Sequence, residues 1–150
     1  MTAQPFLPHI DQLLRGLQVT RARLNSRTKI AIDTAVLRAL LHSLVRTLSF
    51  DAAFYRAHNL DVDAAFRAGQ ITDLHEHFIE TGYFEGRFAT APPVDEAFYI
   101  ATYPDIGVAI AHGDIASAAE HYARSGAAEG RVPCAALQPE INRWASVLGA

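Results

Sequence analysis

Apolar residues recur at helical spacing along most of the chain. Ile10, Leu13, Leu14 and Leu17 form a stripe of about three turns, preceded by Pro5 and Pro8. A polar, basic stretch over 20–29 follows. Then comes a wider stripe over 30–48, carrying Ile32, Val36, Leu37, Leu40, Leu41, Leu44, Val45 and Leu48. A stripe that covers nearly half a helix predicts contacts on two sides, one with the first helix and one with the rest of the chain or a second chain. Residues 1–49 therefore read as a helical hairpin, and 30–48 as a candidate homodimer face. Trp144 and Leu148 stand at i, i+4 in 139–150, which predicts a short C-terminal helix covering the core. Strand alternation is absent, and the expected class is all-α.

The middle of the chain matches itself. Shifted by 44 residues, 50–88 lies on 94–132 without a gap, and fifteen of the 39 paired positions are identical. The pairs include Asp51/Asp95, Phe54/Phe98, Tyr55/Tyr99, Asp61/Asp105, Gly69/Gly113, His77/His121 and Gly82/Gly126. They end on Glu85-Gly86-Arg87 against Glu129-Gly130-Arg131. The organisation expected is two tandem three-helix repeats, at 50–90 and 94–134, linked at Pro92-Pro93 within one compact domain.

Local chemistry sets the helix boundaries of each copy. Asp51 and Asp95 sit where an N-cap is needed, ahead of Phe54-Tyr55 and Phe98-Tyr99. Pro104 fits the first position of the next helix, where its missing N–H costs nothing; Leu60 replaces it in the first copy. Gly69 and Gly113 are expected to close that helix in the left-handed conformation. A third helix is predicted over 72–81 and over 115–125, ending at Gly82 and Gly126.

Hydrophobic residues make up 50% of the chain and charged residues 19%, enough to build a core and too apolar for a disordered tail. Cys134 is the single cysteine, which rules out an internal disulfide and a cysteine-based zinc site. No run of about 18 apolar residues exists, so no membrane span is expected. The opening residues lack a basic stretch before an apolar run, so a cytoplasmic location is expected. Charge is uneven. Residues 1–50 hold seven basic and two acidic side chains (7 − 2 = +5), whereas 51–150 hold six basic and fourteen acidic (6 − 14 = −8). Such asymmetry predicts two surfaces with different partners, or two segments that attract each other.

Catalytic patterns are missing. There is no HExxH, no Gly-x-Ser-x-Gly and no glycine-rich phosphate loop, and His75 and His77 are too close in sequence to share a helix face. No metal, no cofactor and no enzymatic activity is expected. Arg87 and Arg131 have the planar guanidinium that clamps a carboxylate or phosphate, but the same groups can pair with neighbouring helix ends. His77 and His121, with Tyr55 and Tyr99, are either partner-facing or local packing and hydrogen-bonding groups. These six residues are the candidate partner-binding set. Arg21, Arg23, Arg27 and Lys29 form the alternative, a surface for nucleic acid or another polyanion, which is the less favoured partner class.

Phe98-Tyr99-Ile100-Ala101-Thr102-Tyr103-Pro104-Asp105-Ile106, then His121-Tyr122, Gly126 and Glu129-Gly130-Arg131, resembles a bacterial repeat of the form FDxxxYLxxxPDV…HYxxxGxxEGR. That repeat accompanies multidomain glycosyltransferases of surface polysaccharide synthesis, including rhamnan-synthesis-type proteins, and occurs in some large secreted proteins. The resemblance covers about 80 of 150 residues, and the first copy departs from it at Asn59-Leu60-Asp61. It implies an accessory module that docks on a protein partner, such as a glycosyltransferase or an envelope-assembly protein.

Overall fold

The computed structural model describes residues 6–149; Pro5 and Ala150, at the edges of the expected first and last helices, lie outside them. The described residues are helical, with no strand. Two compact units, divided between Thr90 and Ala91, stand where the sequence predicts one domain, because each unit closes on a buried cluster of its own.

The first unit opens with α1 (Ile10–Gly16), α2 (Arg21–Leu24) and α3 (Thr34–Val45). Two boundaries differ from the expected hairpin. A short helix, α2, forms within the polar stretch because Thr20 caps it, accepting from Arg23 N–H at 3.2 Å. The wide stripe does not become one helix over 30–48. The Asp33 carboxylate accepts from Ala35 N–H at 2.7 Å and fixes the start of α3 four residues late. Three further elements follow: α4 (Ala52–His58), α5 (Leu60–Arg67) and α6 (Leu74–His77), the last running into a π-helical turn over Phe78–Gly82. The core joins Val45 of α3 to Tyr55, Val62, Leu74, Phe78, Ile79 and Ala89.

The second unit repeats that order: α7 (Glu96–Thr102), α8 (Pro104–His112), and α9 (Ala118–His121) with a π-helical turn over Tyr122–Gly126. Tyr99, Ile106, Ile115 and Ala118 make its core. In both units the chain returns to its own start, Asp51 N–H donating to the Ala89 carbonyl and Asp95 N–H to that of Pro133, each at 3.0 Å. A 3-10 turn (Ala135–Leu137) leads into α10 (Gln138–Leu148). The sequence expects α10 to cover the core. Instead it has no buried residue, and Trp144, Val147 and Leu148 are 47%, 68% and 73% exposed.

The caps explain the local register. Asp51 and Asp95 accept from Phe54 N–H and Phe98 N–H, both at 3.0 Å. The third helices begin two to three residues later than predicted, at Leu74 and Ala118. Asp73 and Ser117 cap them there, and Ile115 goes to the core instead of a helix. The π-helical turns end at Gly82 and Gly126, as expected. The Glu-Gly-Arg triplet then closes the turn that follows. Gly86 and Gly130 take left-handed φ of 78° and 73°, and the amides of Arg87 and Arg131 reach back to the carbonyls of Gly82 and Gly126 at 2.9 Å. The amides of Gly86 and Gly130 bond to Tyr83 and Ala127, which completes the Schellman pattern.

Candidate functional site

The six residues of the candidate partner set fall into two internal ties that recur in both units. The first joins α4 to α6 in the first unit and α7 to α9 in the second. Tyr55 and Tyr99 are completely buried. Their hydroxyls are hydrogen-bonded to Nδ1 of His77 and His121 at 3.0 and 2.9 Å. Burial pushes both phenols above their ordinary pKa. The hydroxyls also rest against Gly82 and Gly126, where an added Cβ would overlap them. That is why glycine stands there: space, not a left-handed turn. Total burial leaves the two tyrosines no surface for a partner.

The second tie closes the Glu-Gly-Arg turn onto the junction between the first and second helices. Arg87 donates from Nη1 and Nη2 to the two oxygens of Asp61, at 2.9 and 2.7 Å. Further bonds run from Nε to Glu85 at 2.8 Å and from Nη1 to the Asn59 side-chain oxygen at 2.9 Å. This bidentate contact holds the Asp61 carboxyl down to about 2 and raises the guanidinium. Arg131 donates to Glu129 at 2.6 Å, lies 3.5 Å from Asp105 and stacks over Tyr103 at 4.8 Å. Tyr103 replaces Asn59, so a ring contact stands in for a hydrogen bond. Both arginines already hold carboxylates of their own unit, so the anion-clamp reading meets filled sites.

The basic alternative set stays on the outside. Arg21 is ion-paired with Asp11, whereas Arg23, Arg27 and Lys29 are exposed and have no carboxylate partner among the described residues. Among the described residues no three His, Cys, Asp or Glu side chains are grouped closely enough to hold a metal ion. Among the described residues no helix is long and apolar enough to cross a membrane.

What the sequence reading missed is a groove beside α3. One face of this helix is fastened to the first unit. Arg46 makes two 2.9 Å bonds to Glu76, His42 meets Glu80 at 3.2 Å, and Arg38 covers the Phe84 ring at 4.0 Å. Arg46 holds the Glu76 carboxyl below its usual range. The other face is left outward, with Leu37, Leu44 and Leu48 at 45%, 56% and 45% exposure. Phe6 and Leu7 run beside it, and together with Leu40, Ser43, Leu44 and Thr47 they line an almost wholly apolar groove of about 360 Å³. The signal was present in part: Leu40 and Leu44, which line it, stand at i, i+4 in the apolar stripe. Phe6 and Leu7, set between two prolines, gave no periodicity to read. Protein-family models, curated proteins and solved structures were each compared with the chain, and none matches it.

Proposed function

We propose that this chain is a non-catalytic docking module. In this reading, residues 50–90 and 94–134 are two copies of one three-helix repeat. The N-terminal hairpin of 1–49 presents α3 to a protein partner, and the groove beside α3 receives an apolar helix of that partner. The observation that carries the reading is the groove itself: α3 is clamped on one face by Arg46, His42 and Arg38 while its leucines remain uncovered. A helix held in place with its apolar side outward is preorganised to bind, since the cost of ordering it is already met in folding. The resemblance of the repeat points to surface polysaccharide machinery, so the partner class is a glycosyltransferase or an envelope-assembly protein. The filled environments of Arg87, Arg131, His77 and His121 favour a structural over a catalytic role for them.

The test is calorimetric titration of the purified chain against purified sugar-transfer and envelope-assembly proteins of the same organism, with light scattering to fix its own mass. At least one such protein binds, and Leu44→Asp weakens that binding tenfold or more, about 1.4 kcal/mol. The melting temperature barely moves, because Leu44 is more than half exposed. Binding indifferent to Leu44→Asp overturns the reading. So does a dimer that this substitution converts to monomer, which would make the groove a self-interface over 30–48.

A further inference from the structure

We propose that the chain also binds the surface of anionic lipid bilayers, through residues 10–32 and separately from the α3 groove. From Gln12 to Ile32 the sequence has no acidic residue and five basic ones: Arg15, Arg21, Arg23, Arg27 and Lys29. All five are exposed. Of the two flanking acids, Asp11 is paired with Arg21 and Asp33 caps α3 through Ala35 N–H, and Arg23, Arg27 and Lys29 have no carboxylate partner among the described residues. Set among them are aliphatic side chains that the fold leaves in water: Ile10 at 38%, Leu24 at 55% and Ile32 at 38% exposure.

This combination separates a lipid surface from the other polyanions. A nucleic acid rewards chiefly the cations, through its phosphates. The headgroup region of an anionic bilayer rewards both, taking the cations at the phosphates and the aliphatic groups at the edge of the acyl layer. Contact lies in the plane of the membrane, since no helix among the described residues is long and apolar enough to cross it. The acidic excess lies outside this segment, in 51–150 (6 − 14 = −8), so 10–32 is the stretch an anionic surface attracts.

The experiment is flotation of the full chain with vesicles of phosphatidylcholine alone, and of phosphatidylcholine and phosphatidylglycerol in equal parts. The chain floats with the anionic vesicles and not with the neutral ones, and added salt releases it. Each basic side chain near such a surface contributes about fivefold to partitioning, so Arg23→Glu/Arg27→Glu/Lys29→Glu lowers it by a hundredfold or more. Leu24→Ser/Ile32→Ser lowers it several-fold at constant charge. All five positions are exposed, and an unchanged circular dichroism spectrum confirms that these variants fold. Leu44→Asp leaves flotation unchanged, which keeps this result distinct from the groove. Equal flotation with both vesicle types overturns the proposal. It is also overturned if Leu24→Ser/Ile32→Ser has no effect while single-stranded DNA strips the chain from the vesicles, which assigns the segment to nucleic acid.

Discussion

At 50–90 the third helix and its turn carry His75, Ile79, Tyr83 and Phe84; at 94–134 the same places hold Ala119, Ala123, Ala127 and Ala128. Two of the first set meet α3: Ile79, 1% exposed, shares the buried cluster with Val45, and Phe84 lies under Arg38 and 5.0 Å from the His42 ring. Ala119, Ala123 and Ala128 are exposed. Charge follows the same rule, with Glu80 facing His42 in one segment and Arg124 in its place in the other. What does not change is internal: the Asp cap, the Tyr–His bond, the glycine against the hydroxyl and the arginine that closes the turn. Positions that build a unit are kept in both segments. Positions that face a neighbour are rewritten where the neighbour differs.

The comparison breaks most severely at the shared glycine. Gly82→Ala and Gly126→Ala each force a Cβ into a buried tyrosine hydroxyl, and each costs about 3 kcal/mol or more. Hydrogen exchange read by segment localises the loss to the unit mutated. Tyr55→Phe in the Gly82→Ala background removes the atom that the Cβ meets and recovers part of the loss.

Next in size are the changes expected to differ between segments. Arg46→Ala removes two bonds to Glu76 and costs about 1 kcal/mol in urea unfolding of the first unit, discounted because Glu76 is half exposed. Arg124→Ala, whose ion pair with Glu120 is exposed at 3.7 Å, stays within about 0.5 kcal/mol. By contrast, Tyr55→Phe and Tyr99→Phe should match each other, at about 1 kcal/mol each, since the hydrogen bond lost is the same.

The smallest effect is pH. The Asp61 carboxyl sits at about 2 in the folded chain against its usual 3.8, held there by Arg87. Its folded value is depressed, so its contribution is present above the unfolded value and is lost as pH falls from about 4 toward 2. Asp61 is 67% exposed, so the share is about 0.5 kcal/mol or less. Urea midpoints between pH 5 and 2 fall less steeply in Asp61→Asn than in the parent chain.

Much of the fold is legible because it is local. Asp51, Asp95, Pro104, Gly69 and Gly113 act within a few residues of themselves, and each does what its chemistry predicts. The misread positions depend on distant partners. Gly82 and Gly126 are helix ends as expected, yet the need for glycine there comes from a tyrosine hydroxyl 27 residues earlier in sequence (82 − 55 = 126 − 99 = 27). Ile30 and Ile32 continue the stripe of α3, yet the Asp33 cap overrides periodicity. For α10, a stripe reveals that a helix has an apolar side and not what it meets. The groove was half visible: Leu40 and Leu44 belong to the apolar stripe, while Phe6 and Leu7 reach it only through the path of the chain.

The measurement that tests the account most directly is hydrogen exchange on Val45→Asp. Val45 is 1% exposed in the core of the first unit and belongs to α3, so a buried carboxylate there costs several kcal/mol or undocks the helix. The account predicts that protection collapses over Leu74–His77 and Phe78–Gly82 and is unchanged over Ala118–His121 and Tyr122–Gly126. Equal loss in both, or retained protection in the first, would contradict the claim that α3 is part of the first unit's core.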